Sequence, residues 1–199
     1  MGEPKLIEIS PLTRVEGHGK VTIHLDAEGK VDEARLHIVE FRGFERFIQG
    51  RLLWEVPVIV QRLCGICPVS HHLAAAKAMD MIVGADRIPP TAEKMRRLMH
   101  YGQVMQSHVL HFFHLAAPDL LFGFGAPAEK RNIFELLHDQ PEIGRRAILM
   151  RKFGQEIIEA TAGKKIHGTG AIPGGINKNL SIEERDFLLK DLDQMIEWS

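Results

Sequence analysis

The apolar pattern changes period near residue 50, and that change limits the architectures open to this chain. Before it, apolar residues alternate: Val21, Ile23 and Leu25 in Gly19–Leu25, then Leu36, Ile38 and Phe41 in a stretch opening at Val31. Asp26-Ala27-Glu28-Gly29-Lys30 between them is turn chemistry, so the pair reads as an antiparallel β-hairpin. Arg42-Gly43 closes it, and Phe44 to Trp54 reads as a short helix. Beyond that point the spacing turns helical. Pro57 suits the first turn of a segment running to Leu63, interrupted by Gly65 and Pro68. Ser70 can cap a helix from His71 to Val83, stopped by Gly84; Thr91 opens a long helix to about Ala117, ended by Pro118. Asp139 with Glu142 resembles a capping box for a helix to Ala162, which Gly163 stops. Ser181 with Glu184 forms another before Ile182, Leu188, Leu189, Leu192, Met195 and Ile196. This last helix keeps its periodicity to Trp198-Ser199 with no terminating glycine or proline, as at a natural terminus or at a point inside a larger domain.

The expected fold is therefore mainly α (α+β): a β-rich N-terminal segment over 1–50, packed on part of a bundle of long helices over 51–199. A formal net charge of −1 gives no reason to expect a nucleic-acid or anionic-membrane partner. No run approaches the eighteen or so apolar residues of a transmembrane segment, and MGEPKLIEISPLTRVEG lacks the apolar core of a signal peptide.

Both cysteines of the chain lie in one C-x-x-C, at Cys64 and Cys67, with His71 and His72 close behind. One such pair cannot build a disulfide framework, so the composition fits a reducing, cytoplasmic compartment, where spaced thiols more often bind metals or do chemistry. Thiolates select nickel, zinc, copper(I) or iron-sulfur iron over hard cations. Gly65 is expected to permit the turn that points both sulfurs inward, and Arg62 and His71 can donate hydrogen bonds that set their electron density. The competing reading is a pair of buried structural cysteines. Two sulfurs do not complete a four-coordinate site. His100, His108, His111 and His114 fall on one side of the long helix by 3.6-residue spacing, and read as packed or interface histidines rather than ligands.

The stretch Arg62-Leu-Cys-Gly-Ile-Cys-Pro-Val-Ser-His71 resembles the N-terminal metal-binding signature of the nickel-iron hydrogenase large subunit, R-x-C-G-x-C-x-x-x-H. Thr13-Arg14-Val15-Glu16-Gly17-His18 resembles the family's opening R-[IV]-E-G-H segment, and Phe41-Arg42-Gly43-Phe44-Glu45 its F-R-G-x-E segment. Lys164-Lys165-Ile166-His167 followed by Pro173-Gly174-Gly175 resembles its H-x(5)-P-G-G stretch. The four motifs stand in family order, and among subgroups the chain is similar to the soluble, NAD-linked, bidirectional enzymes. The family closes its site with a second C-x-x-C and a histidine, whereas this chain has no third cysteine. The resemblance is thus to the N-terminal portion, and implies that 1–199 forms a single incomplete domain.

The resemblance implies reversible heterolytic cleavage of dihydrogen, with Glu16, Cys64 and Cys67 as the catalytic residues. Cys64 would be a terminal nickel ligand and Cys67 would bridge nickel and iron, the iron carrying cyanide and carbon monoxide. Glu16 would relay protons near the terminal sulfurs. Glu45 would bind magnesium, and Arg62 and His71 would support the sulfurs from behind. Partners would be a small subunit holding all the iron-sulfur clusters, together with a diaphorase module linked to NAD. Two alternatives stay open: a relative of the same fold without hydrogenase chemistry, such as the quinone-site subunit of respiratory complex I, and a small zinc-binding or assembly module.

Overall fold

The structure is a computed structural model that describes residues 5–199. Two compact units follow one another, the first ending at Phe47 and the second spanning Ile48–Ser199.

The first unit is an antiparallel sheet of β1 (Lys5–Ile9), β2 (Gly19–Leu25) and β3 (Val31–Ile38), in that spatial order, followed by the one-turn helix α1 (Phe44–Phe47). The expected hairpin is β2–β3. Its turn is held by Asp26, whose backbone N–H donates to Lys30 O at 2.9 Å while its carboxylate accepts the N–H groups of Glu28 and Lys30. β1 adds to the expected strands, because Lys5-Leu-Ile-Glu-Ile gives only a weak alternation. It pairs in register with β2, so that Ile7, Ile23 and Ala34 form one cross-strand row and Ile9, Val21 and Leu36 the next, all on one face. The helix expected from Phe44 to Trp54 stops at Phe47: Gly50 takes a left-handed backbone (φ 76°) that no α-helix continues through.

The second unit is helical. α2 (Val56–Val60) passes through a 3₁₀ turn, Gln61–Leu63, to the cysteines; α3 (Pro68–Ile82) and α4 (Pro90–Leu110) follow. A π-helical stretch, His111–Ala116, leads into α5 (Ala117–Phe122); then come α6 (Ile133–Asp139), α7 (Pro141–Ala162), a small hairpin of β4 (Ala171–Ile172) and β5 (Gly175–Ile176), and α8 (Ile182–Trp198). Three helix starts lie at prolines rather than at the polar residues the sequence suggested. Pro68, Pro90 and Pro141 open α3, α4 and α7, because a first-turn proline surrenders an N–H that would have no helical partner. Ser70 is accordingly inside α3, and Glu142 engages Arg145 instead of closing a capping box. The long helix ends at Leu110, and Pro118 sits in the first turn of α5 after the wider π turn. The box at α8 is present in full, with Glu184 N–H to Ser181 Oγ at 3.1 Å and Ser181 N–H to Glu184 Oε2 at 2.9 Å.

α4 and α7 pack backbone to backbone. A Cβ on Gly102 would stand 2.9 Å from Gly154 O, and one on Gly154 would stand 2.8 Å from Gly102 O. Around this contact Val109, Ala147, Met150, Phe153 and Ile157 join Leu188 and Met195 of α8 in the main core, while Val69, Met99, Ile158 and Ala162 form a second cluster under α3. No described helix is long and apolar enough to cross a membrane.

Candidate metal centre

The chain leaves the 3₁₀ turn at Cys64 in extended backbone (φ −140°, ψ 137°) and enters α3 through Cys67, which occupies the N-cap position. Between them the backbone bends so that the N–H groups of Ile66 and Cys67 both donate to Cys64 Sγ, at 3.3 and 3.2 Å. Cys64 is buried, Cys67 half-buried, and neither forms a disulfide. The turn is tied down from outside. Gln103 and Gln106 of α4 donate to Ile66 O at 3.0 and 2.8 Å, and His167 Nε2 donates to Cys64 O at 3.2 Å. His167 reaches it from a left-handed backbone (φ 57°), a conformation that costs a non-glycine residue about 1–2 kcal/mol. The role expected of Gly65 is not observed: its φ lies outside the left-handed region, and an added Cβ would meet nothing within 4 Å. The bend comes from hydrogen bonds to the loop rather than from glycine's conformational freedom.

Behind the turn, buried His72 bridges two segments. Its Nδ1 meets Pro57 O at 3.0 Å, and its Nε2 meets the N–H of Ala171 at 3.0 Å. A carbonyl only accepts and an amide N–H only donates, so Nδ1 carries the proton and the ring is neutral. Burial pushes the His72 pKa down, and nearby Arg96 adds to the effect. Further along α3, Asp80 receives Arg96 bidentately, at 2.6 and 3.1 Å. Arg96 also donates to Ile172 O and Gly175 O, and Gly174 N–H donates to Asp80 Oδ1 at 2.7 Å. The β4–β5 hairpin is thereby pinned to α3 and α4. Burial alone would raise the Asp80 carboxyl; the bonds from Arg96 and Gly174 outweigh it and hold it below its ordinary value.

The other residues singled out in the sequence are placed as follows. Arg62 is exposed and donates through Nη1 to Val58 O. His71 lies half-buried in the first turn of α3. Within the first unit, Glu16 is exposed between β1 and β2, and Glu45 is exposed on α1. Among the described residues, neither the cysteine pair nor the His100, His108, His111 and His114 row gathers three His, Cys, Asp or Glu ligand atoms around one point. Glu135, His138 and Asp139 do so at the surface. His100, His108 and His111 are exposed, and burial followed by nearby Arg151 lowers the pKa of His114. Sequence reasoning missed Gln103, Gln106, His72 and the Asp80–Arg96 pair. Spacing could have flagged only the glutamines, three residues apart on a face otherwise lined by Met95 and Met99.

Residues 42–122 match the family described as Nickel-dependent hydrogenase, and residues 6–41 match a HoxL-like family. The chain is 51% identical to the NAD-reducing hydrogenase HoxS subunit beta of Cupriavidus necator, over 96% of its own length and 41% of that protein's. It is 53% identical to a chain of the F420-non-reducing hydrogenase vhu of Methanocaldococcus jannaschii, over 97% and 46%. A crystal structure of an NAD+-reducing NiFe hydrogenase in the H2-reduced state superposes with a TM-score of 0.93 at 68% identity, covering 98% of this chain and 43% of that one. The Ni-Fe-Se hydrogenase of D. vulgaris Hildenborough superposes at 0.81 and 30% identity, covering 96% and 41%. The chain spans less than half the length of the curated relatives it matches.

Proposed function

We propose, from the premise that this chain belongs with the nickel-iron hydrogenase large subunits and matches their N-terminal part, that it supplies one side of a nickel-iron centre for reversible heterolytic cleavage of dihydrogen. The observation that carries the reading is the Cys64–Cys67 turn, with two backbone amides aimed at Cys64 Sγ and its carbonyls tied to α4 and His167. Two sulfurs on a preorganised turn fit a soft metal ion. As the chain's only cysteines they fit half of a four-thiolate site, the other sulfurs coming from a further segment or chain.

When bound, the metal pair, with cyanide and carbon monoxide on the iron, supplies the Lewis acidity that polarises dihydrogen. Cys64 and Cys67 would hold the metal pair, Cys64 serving nickel and Cys67 serving both nickel and iron. Cys64 Sγ is a soft donor and also a basic atom, so it can hold a released proton; the Glu16 carboxylate would carry that proton outward. Arg62 and His71 would support the sulfurs, and Glu45, a hard oxygen donor, would bind magnesium. Electrons would pass to the iron-sulfur clusters of a small subunit, then through a diaphorase module to NAD, in the cytoplasm. The match to an NAD-reducing relative supports this pairing.

The test is coexpression of the chain with the remaining large-subunit sequence of a relative and its small subunit. Nickel and iron in equal amounts are expected in the large-subunit fraction once it is separated from the small subunit and its clusters, with nickel lost there in Cys64→Ser and both metals lost in Cys67→Ser. Stoichiometric zinc alone would overturn the reading in favour of the zinc module, and absence of metal would favour the non-hydrogenase relative. Glu16→Gln should keep the metals while slowing hydrogen-deuterium exchange and turnover by about 10²-fold; unchanged exchange removes Glu16 from the relay. The 199-residue chain alone is expected to show no hydrogen-dependent dye reduction, since metal affinity falls steeply with lost ligands.

A further inference from the structure

The peptide unit joining Ile66 to Cys67 is gripped on both sides. Its oxygen accepts Gln103 Nε2 at 3.0 Å and Gln106 Nε2 at 2.8 Å, while its N–H donates to Cys64 Sγ at 3.2 Å. The two glutamines are 2% and 4% exposed. A carbonyl can only accept, so each carboxamide must present its NH₂ to Ile66. For Gln103 this leaves Oε1 buried with no partner among the described residues, an arrangement that packing alone does not favour. A methionine would fill the same space without stranding an acceptor. The close Gly102–Gly154 contact sets the depth of α4, and a three-residue step brings both amides to one face. Hydrogen bonds in series polarise one another: density drawn onto the Ile66 oxygen makes the Cys67 N–H a stronger donor.

We infer that Gln103 and Gln106 are positioning residues which act through the Ile66–Cys67 peptide, fixing the direction and strength of the N–H given to Cys64 Sγ and so reducing the electron density that this sulfur offers to a soft metal ion. Only the last step rests on the proposed metal role; the grip on the peptide stands without it. The same two bonds also keep Cys67 at the N-cap of α3.

The test uses the metal-free 199-residue chain, followed by NMR. In Gln103→Met and in Gln106→Met the Cys67 amide proton should move upfield and exchange about tenfold faster, the equivalent of about 1.4 kcal/mol. Gln61 is equally buried and makes no described bond to Ile66, so Gln61→Met should leave the Cys67 amide in place. Cobalt(II) is then added as a probe: the sulfur-to-cobalt band should lie at lower energy in both glutamine variants than in the parent chain. A Cys67 amide unmoved by either substitution, or moved as far by Gln61→Met, overturns the inference. Amide shifts as expected, with the cobalt–thiolate band at the same energy in the parent chain and both variants, uphold the grip and overturn the step from the peptide to the sulfur's electron density. If a variant fails to fold, couplings across the hydrogen bonds from the Gln103 and Gln106 side chains to the Ile66 carbonyl, measured in the parent chain, decide the matter, and their absence overturns it.

Discussion

In the sheet of the first unit, each strand bonds to the strand next to it in sequence, β1 to β2 and β2 to β3. Around Cys64 and Cys67 the turn's own bonds to Cys64 Sγ are local, but the bonds that tie it to the rest of the helical unit come from 37, 40 and 103 positions away. The sheet also keeps much of its apolar row in the open, with Ile9 45% and Leu36 63% exposed, whereas Gln103 and His72 are sealed at 2% and 0%. A local ladder forms wherever its turn and strand residues are right. A turn held from afar exists only after the helices supplying its donors have packed. Damage to the helical unit should therefore reach the cysteines, while damage to the sheet should be confined to its own hairpin.

The largest break in that contrast should come from Asp80→Ala. It leaves Arg96 a buried charge without its carboxylate and removes the Gly174 tie of the β4–β5 hairpin; about 3–5 kcal/mol of stability should be lost. Urea unfolding monitored in the helical unit measures it, and a loss below about 1 kcal/mol would reduce the pair to a surface-like contact. In the intact chain the Asp80 carboxyl sits below its unfolded value, so its contribution is present above about pH 4 and fades as pH falls through the folded value.

Gly154→Ala comes next. The new methyl meets Gly102 O at 2.8 Å, and overpacking of this kind costs about 1–3 kcal/mol, offset by up to about 1 kcal/mol of helix propensity. The same variant should loosen the Gln103 and Gln106 bonds, seen as faster exchange of the Cys67 amide. Unchanged exchange there would uncouple α4 depth from the cysteine turn.

On the sheet side, Gly29→Ala forces a side chain into a left-handed turn position (φ 81°) at a cost of about 1–2 kcal/mol. Amides of β2 and β3 should exchange faster while those of α4 and α7 do not. Equal effects in both units would end the distinction between local and distant support.

The finest test is graded rather than stepwise. His72 is neutral when folded, with its pKa lowered below the unfolded value of about 6.5. Below that pH the unfolded chain binds the extra proton, so stability should slope downward as pH falls from about 6.5. His114 shifts in the same direction and contributes a share. In His72→Phe the slope should shrink to that share, and a slope as steep as the parent's would assign it to other groups.

Much of the architecture is legible in the sequence because its causes are local. The β2–β3 hairpin follows from alternation around Asp26 to Lys30, and the α8 start from Ser181 and Glu184, all within a few positions of one another. The helix starts at Pro68, Pro90 and Pro141 are harder to place because a polar residue nearby offers a competing cap, and only the packed helix shows which start is used. β1 escapes a reading by alternation because a strand's partner, rather than its own five residues, supplies most of its definition.

The candidate site divides in the same way. That Cys64 and Cys67 can face one ligand is a property of their three-residue step, and that they suit soft metals is a property of sulfur; both are available from the sequence alone. What holds the turn is not. Gln103 and Gln106 look like ordinary polar helix residues, His72 like the lesser neighbour of His71, and Asp80 and Arg96 like surface charges 16 positions apart. Burial makes them what they are, because a polar group cut off from water must find its partner in the protein. Which partners meet is decided by the packing of α3, α4 and α7, where Gly102 against Gly154 sets the distance.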